Sequence, residues 1–340
     1  MSGGDYLRPL IQVGPARPKG ALPVAGGWGW FTHVEVLARG RVPQVRRVAD
    51  FDAQALERFV ESRPDIGSLS MDRPRVMGIL NATPDSFSDG GLHAAAADAI
   101  AAGQAMRAAG VDLLDVGGES TRPGAETVDP EEEIRRTVPI IEGLIEAGEG
   151  GLVSIDTRKS AVAEAAVAAG AGLVNDVSGF TYDPALARFC ADADLPVCVM
   201  HAQGDPATMQ QNPAYDDVLL DVFDFLQGQI TRLEAEGIPR ARIIADPGIG
   251  FGKTLEHNLT LLARLSLFHG LGVPILLGAS RKRFIGTIGN EPQADARAPG
   301  SIGVALAGLA HGIQMFRVHD VPQTVQAIAL WRAAMAGRQV

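Results

Sequence analysis

The sequence predicts a (β/α)8 TIM barrel preceded by an N-terminal extension. From residue 75 onward, short apolar runs rich in β-branched residues alternate with Ala-rich segments long enough to be helices. Eight such pairs occupy the 266 residues from 75 to 340, and a barrel of this kind typically takes about 250 residues. An open doubly wound sheet is the alternative, but its first turn usually carries a dinucleotide fingerprint. The turn that follows the first run here, NATPD at Asn81, is no such fingerprint.

The extension, residues 1–74, differs in composition from the rest of the chain. It is dense in Gly and Pro, contains Trp28 and Trp30, and carries 10 Lys and Arg against 8 Asp and Glu. Residues 28–37 alternate enough for a short strand, and residues 52–62 (DAQALERFVES) predict one capped amphipathic helix. Because acidic residues are scarce in transit peptides, we expect this segment to wrap the main body instead.

The elements of the predicted barrel, residues 75–340, follow in order along the chain. Strands are predicted at 76–81, 112–117, 152–156, 173–176, 196–201, 242–246, 274–278 and 314–319. Helices are predicted at 94–109, 130–147, 159–169, 215–236, 255–265, 294–311 and 321–336. The strands are almost continuously apolar, as expected when both faces of a parallel sheet are covered.

The charge balance and cysteine content exclude several classes of partner. With 30 Lys and Arg against 40 Asp and Glu the formal net charge is −10, whereas nucleic acid and anionic membranes favour a basic surface. No apolar run approaches the roughly 20 residues of a membrane span. Cys190 and Cys198 are too few for a disulfide framework or a zinc site, which suits a reducing compartment. The sequence therefore predicts a cytoplasmic protein that binds neither nucleic acid nor membrane.

Polar residues follow the predicted strands at the end of the barrel where active sites of this fold lie. They are Asn81; Glu119, Thr121 and Arg122; Asp156; Asn175 and Asp176; His201; Asp246; Ser280, Arg281 and Lys282; and Arg317 and His319. Any one of them could cap a helix or bond a turn. Independent caps give no reason for Lys282, Arg317 and His319 to share one rim, so the set indicates a binding or catalytic site.

One part of this set predicts an anion-binding corner. Ser280 and the backbone N–H groups that open the following helix are joined by Arg281, Lys282, Arg317 and His319. Barrels often hold phosphate at this position, because helix N-termini and basic side chains favour negative charge. The corner predicts a substrate that bears phosphate.

A second part predicts a surface that recognises a flat heterocycle. Asp156, Asn175 and Asp246 offer carboxylate and amide groups that can pair with a donor and acceptor edge, such as that of an aminopyrimidinone. These residues by themselves do not identify the ring. The nearby loop GIGFGKT is not a Walker A motif, because Pro247 stands where the first glycine of that motif belongs.

Eight motifs in order resemble those of the dihydropteroate synthases, over about residues 76–336. They are GILNATPDSFSDGG, DVGGESTRPGA, SIDTRKS, NDVSGF, MHAQGDPATMQ, ADPGIGFGK, GASRKRFIG and RVHD. The resemblance implies a transferase of folate biosynthesis that joins 6-hydroxymethyl-7,8-dihydropterin diphosphate to p-aminobenzoate and releases diphosphate with the help of Mg²⁺. It also implies a homodimer and sensitivity to sulfonamides, which mimic p-aminobenzoate.

The resemblance further implies a role for each matching residue. Pterin binding falls to Asp156, Asn175, Met200, Asp246, Phe251 and Lys282; diphosphate binding to Asn81, Arg122, Arg317 and His319; p-aminobenzoate binding to Phe87, Thr121, Pro123 and Ser280; and the metal to Asn81. Catalysis is implied for Asp156, Asp246, Lys282, Arg317 and His319, through departure of diphosphate before the arylamine attacks. The loops NATPDSFSDGG and GGESTRPGA are implied lids.

Two other functions compete with this interpretation. A corrinoid-type pterin methyltransferase shares the barrel and the pterin-binding Asp and Asn, but it would not need the motifs around Arg122, Lys282 and His319. A non-catalytic pterin-binding paralogue would be indicated by loss of Asn81, Arg122, Lys282 or His319, and all four are present. A scaffold protein has no reason to gather such polar residues at one rim.

Overall fold

The computed structural model describes residues 4–82, 91–120, 125, 127–148, 151–204, 209 and 212–339. Within these residues, the extension folds into two small antiparallel sheets and one helix. Strands β1 (Tyr6–Pro9), β4 (His33–Leu37) and β5 (Gln44–Arg47) pair in the order β1-β4-β5, and β2 (Leu22–Pro23) pairs with β3 (Trp30–Phe31). The predicted strand at 28–37 is thus two strands.

Helix α1 (Ala53–Val60) of the extension confirms the predicted capped helix. Its N-cap Asp52 accepts a hydrogen bond from the Ala55 backbone N–H at 2.7 Å, which satisfies one of the donors left free at a helix start. The buried face of α1, Leu56 and Phe59, packs with Phe31 and Val34 into a small core. The extension therefore has a hydrophobic core of its own.

Eight parallel strands follow and confirm the predicted barrel. They are β6 (Arg75–Asn81), β7 (Leu113–Gly117), β8 (Leu152–Asp156), β9 (Leu173–Asp176), β10 (Val197–Met200), β11 (Ile243–Asp246), β12 (Leu276–Leu277) and β13 (Met315–Val318). The hydrogen-bonded order is β11-β10-β9-β8-β7-β6-β13-β12. A parallel bridge between Ala245 and Ile275 joins the two ends of this order and nearly closes the barrel. Strand β12 is shorter than the strand predicted at 274–278.

Helices surround the sheet at α2 (Gly91–Ala108), α3 (Pro130–Glu146), α4 (Ser160–Ala168), α5 (Pro184–Asp192), α6 (Val218–Ala235), α7 (Leu255–Leu262), α8 (Arg283–Gly289), α9 (Ala298–Ala310) and α10 (Val321–Ala336). Helix α5 was absent from the sequence prediction, and α8 is the helix expected after Ser280, for which no bounds were predicted. Both are short, and short helices depend on tertiary packing more than on a long apolar period. In α5 that packing is supplied by the buried side chains of Leu186, Ala187 and Cys190.

The extension packs on the barrel away from the polar strand ends. Ile66, Leu69 and Met71 are buried against residues that begin barrel strands, including Leu113 and Met315. They close the end of the barrel opposite to the ends of the strands, where the predicted site residues lie. Hydrogen bonds also hold the extension against the side of the barrel.

Two hydrogen bonds join the extension to the side of the barrel. The buried guanidinium of Arg63 donates to the His269 carbonyl at 2.9 Å, and the Trp28 indole donates to the Leu309 carbonyl at 2.9 Å. Cys190 and Cys198 are buried and unpaired. Among the helices described, none combines the length and apolar character needed to cross a membrane.

Candidate active site

The carboxyl ends of the barrel strands bring most of the predicted site residues to one rim, since all eight strands are parallel. Asn81, Asp156, Met200 and Asp246 are the last residues of β6, β8, β10 and β11. Asn175 lies one residue before the end of β9, and Arg317 one before the end of β13. The predicted site residues Phe87, Thr121, Arg122 and Pro123 lie outside the described residues.

A buried ion network crosses the mouth of the barrel. The Arg317 guanidinium donates from Nε to Asp115 Oδ2 and from Nη2 to Asp156 Oδ2, both at 2.6 Å. Asp115 Oδ2 also accepts from the Asn175 amide Nδ2 at 3.1 Å. Burial raises the pKa of Asp156, and the nearby Arg317 cation opposes this rise. For Arg317, burial lowers the pKa, but the two carboxylates outweigh it and the guanidinium stays charged.

A second charged pair faces this network from β11 and the loop after β12. Asp246 Oδ1 accepts from the Gly248 backbone N–H at 2.7 Å, and burial raises the pKa of this carboxyl to about 6. The Lys282 ammonium lies 3.8 Å from the centre of the Phe251 ring, a cation–π contact. Burial, and after it the charge of Arg317, lowers the pKa of Lys282 to about 8. Phe251 packs beside Met200, so both predicted ring contacts belong to one apolar cluster.

Lys253 lies buried beneath the glycine-rich loop of β11 and orders it. Its ammonium donates to the carbonyls of Gly248 at 2.8 Å and Phe251 at 3.0 Å and to His201 Nδ1 at 2.9 Å. Burial lowers the pKa of Lys253 to about 7 and, with the adjacent lysine, that of His201 to about 2, so the imidazole is a neutral acceptor. The two loops approach so closely that a Cβ on Gly248 would lie 1.9 Å from the His201 carbonyl oxygen.

The predicted anion-binding corner is only partly as expected. Ser280 Oγ lies 3.0 Å from His319 Nδ1 and accepts from the His319 backbone N–H at 3.2 Å. Burial, and after it Arg317, lowers the pKa of His319 to about 3. In the tautomer in which Ser280 donates to Nδ1, the neutral imidazole carries its proton on Nε2 and can donate it to an anion.

Two expectations about this corner are wrong. Arg281 does not join it, because its guanidinium is held by Asp320 through bonds of 3.1 Å and 2.6 Å. Ser280 does not open the following helix, since the N-cap of α8 is Lys282 and the Ser280 hydroxyl bonds His319 instead. Residue spacing predicted a cap, whereas the strand-to-helix turn places Ser280 beside β13.

A second buried ion cluster lies behind the rim. Glu119 accepts from Arg158 Nε at 2.9 Å, from Lys159 Nζ at 2.6 Å and from the Val128 backbone N–H at 2.8 Å. Lys159 also donates to Glu133 at 2.5 Å. These contacts connect β7, the start of α4 and the start of α3. Nearby, a cavity of about 260 Å³ opens between Arg158, Tyr182, Met209 and Phe251.

Sequence reasoning missed two residues of this site, Asp115 and Lys253. Each had a signal in the sequence. Asp115 is a charged residue inside the apolar strand LLDVG, and a charge there is almost never buried without a partner. Lys253 directly follows a glycine-rich loop, whose backbone carbonyls are acceptors close to it in the sequence. The partners of Asp115 on β9 and β13, and the His201 partner of Lys253, depended on distant strands and could not be named from the sequence.

Comparison with known proteins fits this geometry. The fold and site define a barrel enzyme of the pterin-binding class, and a family model described as pterin binding enzyme matches residues 77–319. The chain is 43% identical over 272 residues to the dihydropteroate synthase of Escherichia coli strain K12, covering 80% of this chain and 95% of that protein. The chain belongs to the dihydropteroate synthase family.

Solved structures agree with this assignment. Xanthomonas albilineans dihydropteroate synthase with 4-aminobenzoic acid is 46% identical, with a TM-score of 0.74 over 79% of this chain and 95% of that chain. The same enzyme in complex with 7,8-dihydropteroate is 43% identical, with a TM-score of 0.72 over 81% and 99% of the two chains. A Yersinia pestis dihydropteroate synthase in a sulfonamide drug complex is 44% identical, with a TM-score of 0.74 over 79% and 98%.

Proposed function

We propose that this protein condenses 6-hydroxymethyl-7,8-dihydropterin diphosphate with p-aminobenzoate to give 7,8-dihydropteroate and diphosphate. The observation that carries the proposal is the buried network of Arg317, Asp156 and Asn175 at the carboxyl end of the barrel. The network joins a carboxylate and an amide that can bind the edge of a heterocycle to a guanidinium that can bind phosphate. Family membership supports the same reaction and does not favour a methyltransferase or a non-catalytic paralogue.

The pterin is proposed to bind against Asp156, Asn175, Asp246 and Lys282. Two carboxylates and an amide can accept from the N–H groups of the ring, and they lie within one barrel mouth where water is largely excluded. Met200 and Phe251 supply the apolar faces. Lys282, a donor 3.8 Å above the Phe251 ring centre, would meet an acceptor atom of the pterin.

The diphosphate is proposed to bind Asn81, Arg122, Arg317 and His319. Arg317 uses two of its five N–H donors on carboxylates, which leaves others for an anion. His319 would donate from Nε2, and an anion at that position would raise its low pKa and favour the charged form.

A Mg²⁺ ion is proposed to accompany the diphosphate. Mg²⁺ usually takes one or two protein oxygens and completes its shell with phosphate oxygens and water. The half-buried amide of Asn81 at the end of β6 fits such a limited role, and the described residues contain no cluster of three acidic, His or Cys ligands. When bound, the ion would offset negative charge on the departing diphosphate.

The reaction is proposed to proceed through departure of diphosphate before the arylamine attacks. Asp156 and Asp246 place two carboxylates at the pterin site, and Asp115 adds a third one layer below it, which favours a cationic ring. Arg317 and His319 face the leaving group. The neutral arylamine is already a nucleophile, so the protein contributes mainly by electrostatic positioning and by excluding water.

The p-aminobenzoate is proposed to lie among Phe87, Thr121, Pro123 and Ser280. Ser280 is nearly buried and shares a hydrogen bond with His319, so the arylamine pocket and the diphosphate corner would meet at this hydroxyl. The two lids expected from the family resemblance, residues 81–91 and 117–125, lie largely outside the described residues.

The decisive experiment follows diphosphate release by the purified protein given the dihydropterin diphosphate and Mg²⁺, with and without p-aminobenzoate, with mass detection of dihydropteroate. Release coupled to dihydropteroate supports the synthase. Tight pterin binding without product would refute it and favour a non-catalytic paralogue.

We also propose an assembly, a domain division and a location for the protein. A homodimer is expected from the family resemblance, and light scattering of the purified chain tests it. A cytoplasmic location fits the two buried, unpaired cysteines. We also propose that residues 1–74 form an extension and 75–340 the catalytic barrel, since the barrel strands begin at Arg75.

A further inference from the structure

Asp115 lies inside the barrel, one layer below the rim. It is the third residue of β7, is 0% exposed, and is paired in register with Ser154 of β8. Two residues separate it from the end of the strand at Gly117, so it lies about 6–7 Å deeper than that end. A substrate at the strand ends would therefore meet other residues first, and Asp115 would act through them.

We infer that Asp115 is a positioning residue that fixes both Asn175 and Arg317, and thereby aligns the pterin-binding and diphosphate-binding halves of the site. The inference deepens the proposed function and rests on it. One oxygen, Oδ2, accepts from Arg317 Nε at 2.6 Å and from Asn175 Nδ2 at 3.1 Å. A single carboxylate oxygen thus connects a residue of β9 with a residue of β13.

The contact with Asn175 sets the direction of its amide. An ionised carboxylate only accepts hydrogen bonds, so the donor end of the amide must face Asp115. The acceptor end, Oδ1, is then the part of Asn175 that remains for a ligand. Asp115 in this way makes Asn175 an acceptor toward the pterin, without touching the ring.

The contact with Arg317 keeps the guanidinium in place while its other partner changes. Asp156 ends β8 and is proposed to bind the pterin, but its carboxylate now bonds Arg317 at 2.6 Å. A pterin that takes Asp156 would compete for that bond. The deeper bond to Asp115 would hold Arg317 through this exchange and leave its remaining donors directed at the diphosphate.

A purely structural role explains Asp115 poorly. Among the described residues, none hydrogen-bonds its other oxygen, Oδ1, which is buried, or the buried Ser154 Oγ at the same register position. Burying a charge with one unsatisfied oxygen costs stability, and an apolar residue would pack this layer without that cost. The benefit of the carboxylate therefore lies in the two site residues that it holds.

The test is Asp115→Asn, which keeps size and one acceptor oxygen but removes the charge. Ser154→Ala is the matched control from the same buried layer. Dissociation constants are measured by calorimetry for 6-hydroxymethyl-7,8-dihydropterin and for inorganic diphosphate with Mg²⁺, and turnover gives kcat and the KM for p-aminobenzoate. We expect D115N to weaken the binding of both ligands by about 10–100-fold, by analogy with the loss of a group that orients a metal-ligating side chain. The KM for p-aminobenzoate and all constants of S154A should stay near wild type.

A double variant distinguishes a positioning role of Asp115 from a general loss of structure at the site. In Arg317→Lys, adding D115N should still weaken the pterin, through Asn175, but should no longer weaken diphosphate, which it affects through Arg317. Equal losses for all three ligands, or an unchanged D115N, would overturn the inference. If D115N does not fold, Asp115→Glu keeps the charge but displaces the carboxylate, and the same ligand pattern is expected. Failure of the wild type to form product would refute the proposed function instead, and the binding measurements would still decide the role of Asp115.

Discussion

Replacing Lys253 by Met tests whether a buried ammonium orders the loop that carries Phe251. The Met side chain has a similar length and fills the same space, but it cannot donate to the carbonyls of Gly248 and Phe251 or to His201 Nδ1. An acceptor left without a donor in a buried site costs about 1–3 kcal/mol. The three lost bonds together would thus cost about 3–9 kcal/mol.

A gain of similar size opposes this loss. Burial lowers the pKa of Lys253 from 10.5 to about 7, so protonating this amine is less favourable in the folded protein by about 5 kcal/mol, at about 1.4 kcal/mol for each tenfold change in proton affinity. At pH 7 the variant should therefore lose no more than about 4 kcal/mol and remain folded, with weaker pterin binding because Phe251 is less well held.

The pH dependence gives the sharper result. Between pH 7 and 10.5 the unfolded chain binds a proton at Lys253 that the folded protein does not, so wild-type stability rises with pH in this window. From pH 7 to pH 9 the rise due to this group is about 2 kcal/mol. Lys282 titrates nearby, with a pKa lowered to about 8, but it is present in both proteins and largely cancels in the difference.

The assay is urea denaturation followed by circular dichroism at pH 7 and pH 9, for wild type, Lys253→Met and the exposed control Lys19→Met. The difference in free energy of unfolding between wild type and K253M should grow by about 2 kcal/mol at the higher pH, whereas K19M should follow wild type. An equal difference at both pH values would show that Lys253 is not a strained buried ammonium and would refute the reasoning.

Four further predictions concern the ligands and the extension. Lys282→Ala should weaken pterin binding and nearly abolish turnover, and a variant close to wild type in calorimetry and kinetics would remove Lys282 from the site. Because burial raises the pKa of Asp246 to about 6, a carboxylate needed as an acceptor is lost as pH falls through 6, so pterin affinity should drop by up to about tenfold per pH unit below it; Asp246→Asn should bind weakly at every pH. A sulfonamide should compete with p-aminobenzoate, and turnover unaffected at saturating drug would contradict the proposed pocket. Ile66→Ala should cost about 2–5 kcal/mol in urea denaturation, because Ile66 is 0% exposed at the closed end of the barrel, whereas the exposed Val45→Ala should change little.

The order of strands and helices could be predicted because each has a local pattern. Runs such as 152–156 are continuously apolar, and the segments between them are long and Ala-rich, so the barrel was apparent without any contact. Helix α5 was not predicted because its nine residues are too few to show a clear helical period. The packing of Leu186 and Cys190 decides its conformation instead. The strand at 28–37 was predicted as one because the break at Thr32 has no turn residue of its own.

The site could be predicted as a set of residues but not as a network. Parallel strands bring their ends together, so Asp156, Asn175 and Asp246 were expected at one rim. The assignment of Arg281 to the anion-binding corner failed because its neighbour in space, Asp320, lies 39 residues away. Nothing in the local sequence distinguishes Arg281 from Lys282. In the structure, however, Asp320 neutralises the Arg281 guanidinium, whereas the Lys282 ammonium faces the site.

The sequence by itself determined the fold class, the rim at which the site lies and the family, because these depend on local periodicity, strand ends and ordered motifs. The tertiary structure decided the partners of each charge. Arg317 bonds Asp115 and Asp156 across 202 and 161 residues of chain, and Lys253 bonds His201 across 52. Buried charges must be paired, and the choice of partner depends on distances that appear only when the barrel closes.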